Sequence, residues 1–136
     1  MRKLIVLLGI ITLAFVSCDR PLTFEKLPQQ AQQFINQNFK DVGFLSAMKD
    51  DGKYDVVLKD GTEIEFTRKG EWKKVDCHLT AIPEAVIPPT ILTYVKAQFP
   101  DNFIVKIDKD SREYEVELNN NIDLKFDKNG NFMYAD

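Results

Sequence analysis

One alternating pattern that occurs twice, at a fixed distance, constrains this chain more than anything else in it. Tyr114, Val116 and Leu118 alternate with Glu113, Glu115 and Glu117; after Asn119–Asn121, Ile122, Leu124 and Phe126 alternate with Asp123, Lys125 and Asp127. A period of two marks a strand with one buried face. Asn tolerates the positive φ of a tight turn, Asn129-Gly130 is a strong hairpin signal, and Phe132 and Tyr134 carry a last strand. Sixty residues earlier the same meander runs from Tyr54 to Asp76, with Val56, Leu58, Phe66, Gly70 and Trp72 in the places of Val116, Leu118, Phe126, Gly130 and Phe132. Residues 27–76 and 87–136 share 11 identical positions out of 50 without a gap. A match that runs through turns and strands alike reads as an internal repeat.

Each copy opens with a helical pattern. Leu27, Ala31, Phe34, Ile35 and Phe39 fall on one face of a helix, as do Ile87, Ile91, Tyr94, Val95 and Phe99. Pro28 sits where a first-turn proline is tolerated, Pro100 stops the second helix, and Pro83 marks an extra turn ahead of it. A fourth strand is expected near Phe44–Met48 and again near Ile104–Asp108, with Asp51-Gly52 and Asp60-Gly61 as further turns. The predicted fold is α+β: two tandem α-β4 repeats, 27–76 and 87–136, joined by a linker at 77–86. Together they form one antiparallel sheet of about eight strands with both helices packed on one face.

The N-terminus reads as targeting rather than fold. Arg2 and Lys3 precede an apolar run from Leu4 to Val16, too short to span a bilayer, which takes about 20 residues. Ser17-Cys18 then resembles the end of a bacterial lipoprotein signal, so residues 1–17 are expected to leave and Cys18 to carry the lipid. Residues 18–26 are expected to be a polar tether. The expected location is the periplasm or outer membrane, lipid-anchored, with a secreted soluble form as the alternative. The whole chain carries 18 basic and 21 acidic residues with no basic cluster. That excludes nucleic acid, which needs a phosphate-neutralising patch, and leaves the membrane reached only through the lipid at Cys18.

The chemistry-bearing residues are few. His78 is the one histidine; it adjoins Cys77, and two adjacent ligands fall short of the three or four of a zinc site. Asp127–Asn131 has a glycine two places too early for a calcium loop, and reads as a hairpin. No Ser-His-Asp or Cys-His set can be assembled, and no phosphate-binding glycine loop exists. The expectation is no catalytic residues, no metal and no cofactor.

A resemblance runs through Trp72–Asp76, the stretch IPEAVIP from Ile82 to Pro88, YVKAQFP from Tyr94, YEVEL from Tyr114 to Leu118 and LKFDKNG from Leu124 to Gly130. Together these resemble the PepSY-like proteins related in fold to β-lactamase inhibitory protein. The resemblance covers essentially the whole mature chain. It implies the tandem α-β4 fold, an envelope location, and no catalytic residues to carry over.

What remains for function is surface. The strand alternation leaves one sheet face uncovered, and Phe44, Met48, Val57, Ile104 and Met133 are expected to form its apolar part among acidic neighbours. The functional expectation is a non-catalytic envelope module that recognises a protein or peptide partner, inhibitor-like by resemblance of fold. The alternative is a small-ligand or stress-related periplasmic protein that uses the groove between the repeats.

Overall fold

The computed structural model describes residues 20–136. Cys18 and the segment 1–17 lie outside the described residues. In chain order the strands are β1 (Arg20–Leu22), β2 (Phe44–Asp50), β3 (Lys53–Leu58), β4 (Glu63–Phe66), β5 (Trp72–Asp76), β6 (Ile104–Lys109), β7 (Glu113–Leu118), β8 (Asp123–Asp127) and β9 (Phe132–Ala135). Helix α1 (Gln29–Asn38) precedes β2 and helix α2 (Pro89–Gln98) precedes β6; single 3₁₀ turns stand at Phe24–Lys26 and Glu84–Val86. All nine strands form one open antiparallel sheet in sequence order, β1 through β9.

The alternation explains the layers. Tyr54, Val56 and Leu58 on β3 pair with or neighbour Phe66 and Ile64 on β4, and all five side chains are buried. Val116 and Leu118 do the same with Leu124 and Phe126. The helices close over this side. Phe34 of α1 meets Phe66 edge-on at 5.7 Å between centroids, and Tyr94 of α2 meets Phe126 edge-on at 5.4 Å. Ala31 and Ile35, then Ile91 and Val95, complete a single apolar cluster. A fully buried Phe truncated to Ala typically costs about 3–5 kcal/mol, so Phe66 and Phe126 are the two heaviest pins of the fold.

Elements recur at a spacing of sixty residues throughout: 24–26 with 84–86, 29–38 with 89–98, and each of β2 to β5 with β6 to β9. The ladders recur too. Ile64↔Val75 and Phe66↔Trp72 have counterparts in Leu124↔Ala135 and Phe126↔Phe132, with a register shift at the same place in each.

Three expectations are corrected. The sheet has nine strands, not about eight, because the expected tether is structured from Arg20 onward. Leu22 lies opposite Ala47 on β2 and, with Phe24, packs against the core. Pro21 has no N–H to leave unpaired at the sheet edge. The other two concern Phe44 and Ile104, expected on the uncovered face. Register shifts between Phe44 and Ser46 and between Ile104 and Lys106 insert one extra residue into each strand. Phe44 therefore lies opposite Leu58, and Ile104 opposite Leu118, on the helix side. Ile104 is buried, and Phe44 packs edge-on against Phe24 at 5.7 Å. A bulge reverses the inward–outward assignment of every residue on one side of it.

Candidate functional site: the uncovered sheet face

The residues that alternate with the core build the opposite face. Asp55 and Val57 come from β3, Glu63 and Glu65 from β4, Lys74 and Asp76 from β5, Lys106 and Asp108 from β6. Glu113, Glu115 and Glu117 follow from β7, opposite Asp127, Lys125 and Asp123 of β8. No element of the described chain packs over them. The strands that turn hydrophobic side chains to the helices thus turn a mainly acidic row the other way.

Two features organise that row. Lys125 reaches between two strand neighbours, its Nζ 3.0 Å from Glu113 Oε1 and 2.8 Å from Glu115 Oε2. These charge-assisted bonds hold its ammonium above the ordinary lysine range. Nearby, a depression of about 250 Å³ crosses from β4 to β8, lined by charged groups that include Glu65, Lys74, Asp108, Glu115 and Lys125. Partial burial raises the Asp108 carboxyl while Lys106 and Lys74 oppose the shift. Burial also raises Asp55, reinforced by its neighbours Glu65 and Asp50. Carboxylates crowded on a half-desolvated surface hold their charge at a cost.

The residues expected to form the apolar part of this face are only partly together. Met48, opposite Asp55, and Val57, opposite Ser46 and Glu63, are half-buried on the uncovered side at the β2–β3 end. Met133 is 50% exposed but belongs to the edge strand β9. Phe44 and Ile104 are excluded by the bulges. Leu45, the extra residue of β2, is 60% exposed instead. Nothing in the alternation distinguishes Leu45 from Phe44, since a bulge leaves no mark in a run of apolar residues.

The structure also gathers a group that the sequence keeps apart. Cys77 and His78, adjacent in the chain, go opposite ways. Cys77 turns inward, its thiol accepting a bond from Thr62 Oγ1 at 3.8 Å, and burial pushes its pKa up. His78 has a left-handed backbone, φ 57°, which turns it away from the core. Its Nδ1 lies 3.6 Å from Asp76 and its Nε2 3.6 Å from Glu63, because Glu63 and Asp76 are ladder partners. Glu63, Asp76 and His78 offer ligand atoms within 4.8 Å of one another. All three are at least partly exposed. A residue fifteen places upstream gives no spacing signal, so this group was not legible beforehand. The neighbouring Cys77 thiol is not activated as a nucleophile, since burial raises its pKa.

The second exposed feature is the β9 edge. Phe132, Met133 and Tyr134 are 39%, 50% and 47% exposed. Phe132 stacks on Tyr94 at 4.5 Å with the rings 13° from parallel. The first half differs at the matching place: Trp72 lies under the ammonium of Lys109, 4.0 Å from its ring centroid. Burial pulls the Lys109 pKa down and Glu71 opposes the shift.

Comparison with known proteins is consistent with this architecture. No curated protein sequence matches the chain. Among solved structures, a Bacteroides thetaiotaomicron protein described as a "putative calcium-regulated periplasmic protein" is 40% identical, with a TM-score of 0.84, over 87% of this chain and 96% of its own. A Bacteroides vulgatus protein described as a "putative periplasmic protein" is 37% identical, TM-score 0.84, over 89% of this chain and 98% of its own. A second from the same species, of unknown function, is 34% identical, TM-score 0.82, over 87% and 98%. None of the helices among the described residues is long and apolar enough to cross a membrane. Residues 52–134 match the family described as "Putative beta-lactamase-inhibitor-like, PepSY-like". With that match and three relatives described as periplasmic that share its fold over 87–89% of this chain, the chain belongs to the PepSY-like family.

Proposed function

We propose that the protein is a non-catalytic binding module of the cell envelope, held at the membrane by lipid on Cys18, that recognises a protein or peptide partner through its strand layer. The observation that carries this reading is the asymmetry of the two layers. Both helices cover one face of the sheet, while no described element covers the other from β2 to β8, with half-buried Met48 and Val57 at one end and a charged row beyond. A polar, charged surface with a small apolar part is what a non-obligate partner surface offers. The periplasmic description of its relatives supports the location. The sixty-residue recurrence of elements and the 11 shared positions support a duplicated α-β4 unit as its origin.

The groove between the halves is weaker as a small-ligand site. The depression there is lined by charged side chains, whereas small-molecule sites are mostly apolar with a few convergent polar groups. A calcium-responsive version of the binding module draws on the description of the 40%-identical relative and on the carboxylates Glu63 and Asp76, hard oxygen ligands of the kind calcium takes. Val57→Lys with Met48→Lys changes the apolar end without touching the core. The pair should abolish recovery of a discrete partner from envelope extract and leave the melting temperature within about 2 °C, a surface-level perturbation. Unchanged recovery would remove the sheet face from the reading. Labelled fatty acid should mark the wild type and not Cys18→Ala, and an unlabelled wild type would remove the anchor.

A further inference from the structure

Among the described residues, strand β5 has two neighbours and β9, its counterpart sixty residues on, has one. On the β4 side, Asp76, Val75 and Lys74 face Glu63, Ile64 and Glu65; on the β8 side, Ala135 and Tyr134 face Leu124 and Lys125 in the same register. Asp136 exchanges both backbone bonds with Asp123, at 2.8 and 3.2 Å. By ladder alternation Ala135 then turns its N–H and C=O away from β8. In the first half those outward groups belong to Val75, and β6 takes them: Val75 lies opposite Ile107, and the next bonding residue, Cys77, donates to Val105 at 2.8 Å.

The adjoining grooves correspond as well. Gln30, Phe34, Gly70, Glu71 and Trp72 line one; Thr90, Tyr94, Gly130, Asn131 and Phe132 line the other, each sixty residues on. The first groove has one further wall, Lys109 of β6, whose ammonium covers Trp72. The second, about 380 Å³, has no cation from the described residues over its Phe132–Tyr94 stack.

We propose that the outer edge of β9 is a docking ladder for an extended segment of another protein. That segment presents an apolar residue opposite Ala135 and, two positions on, a lysine or arginine seated over the Phe132–Tyr94 stack. It rests on the binding-module reading and goes beyond it, adding a second surface at the margin of the sheet away from Met48 and Val57. Ile107-Asp108-Lys109 is the internal template, apolar then basic with one residue between, running antiparallel to its acceptor strand. An edge strand adds such a segment by main-chain bonds and selects it by alternate side chains. Charge favours the same partner: Asp123, Asp127 and Asp136 flank β9 against Lys125 and Lys128, Lys125 is already held by Glu113 and Glu115, and acidic residues outnumber basic ones 21 to 18. A second copy fits less well. β9 carries Phe, Met, Tyr and Ala and brings no cation to a symmetric pairing, and β2, whose Lys49 would match Lys109, is already covered by β1.

The probe is the chain's own donor strand, Ile104–Lys109, as a peptide blocked at both ends and titrated into the full mature protein labelled for amide NMR. Saturable shifts should appear at residues 132–136. Methylating the peptide nitrogen of Ile107 should weaken binding at least about tenfold, the loss of a main-chain bond plus steric obstruction. Lys109→Met in the peptide should weaken it about three- to fivefold, as a cation over an exposed aromatic ring would. Ala135→Pro in the protein should abolish it. If that variant does not fold, the two peptide changes decide alone. Absence of shifts at 132–136, or binding indifferent to N-methylation, overturns the proposal, as do concentration-dependent shifts at 132–136 without peptide, which give the edge to a second copy. If β9 stays silent while the Val57 and Met48 changes still abolish partner recovery, the edge falls and the binding module stands.

Discussion

Ile104→Ala against Leu45→Ala tests the bulges on which the layer assignment rests. Ile104 is 3% exposed and belongs to the apolar cluster, while Leu45 is 60% exposed. Truncating Ile104 removes three buried carbons. At about 0.8 kcal/mol per methylene the transfer loss is roughly 2.4 kcal/mol, and the residual cavity brings the total to about 3–4 kcal/mol. For a domain of this size 1 kcal/mol corresponds to roughly 4 °C of melting temperature, so the expected drop is about 12–16 °C. Leu45→Ala should stay within about 0.5 kcal/mol, some 2 °C. Urea titrations followed by far-UV circular dichroism measure both, with an unchanged m-value as the check that the transition stays cooperative. If Leu45→Ala proves the costly change and Ile104→Ala the neutral one, the sheet is inside out at its bulges and the reasoning fails.

Gly130 has φ +82°, and an added Cβ would collide with Thr90 Oγ1. Gly130→Ala should therefore lose more than the roughly 1–2 kcal/mol of left-handed strain alone, whereas Gly52→Ala, with φ +80° and open space around it, should lose only that strain; equal melting temperatures would contradict the contact. Asp55 has a carboxyl raised by burial and by Glu65 and Asp50. A raised acid means that the folded state holds the proton more tightly, so stability falls as pH rises from the unfolded value through the folded one. Asp55→Asn should accordingly raise the melting point at neutral pH, with the gain vanishing below the ordinary aspartate range; a gain that persists in acid would refute the cause. Cys77 is buried with its pKa pushed up, so iodoacetamide at mildly alkaline pH should alkylate it only after denaturation, and rapid native labelling would place the thiol at the surface.

Much of the architecture was legible in the chain. Period-two alternation at Tyr54–Leu58 and Tyr114–Leu118 marked the strands and their inner faces, because a half-buried strand must alternate. The helical faces were equally legible: Ala31, Ile35, Ile91 and Val95 all reached the core. The misses share one cause, that tertiary pairing overrode a local pattern. Arg20–Leu22 has no alternation long enough to read, and becomes a strand because β2 offers an open ladder. Phe44 and Ile104 depart from the alternation because an extra residue shifts the face of its neighbours without changing composition. Glu63, Asp76 and His78 converge only through the β4–β5 register. The candidate surface was harder than the fold for a physical reason. Exposed side chains are selected by a partner absent from the sequence, whereas buried ones are selected by each other.

Recognition through the strand layer rather than the helix layer is tested most directly by site-specific photocrosslinking in living cells. A photoreactive residue is placed in turn at Val57, on the uncovered face, and at Gln33, exposed on α1. A discrete adduct of one mass from Val57, with none from Gln33, is the predicted result. Adducts from Gln33 alone, or from neither position, would contradict a partner bound on the uncovered face.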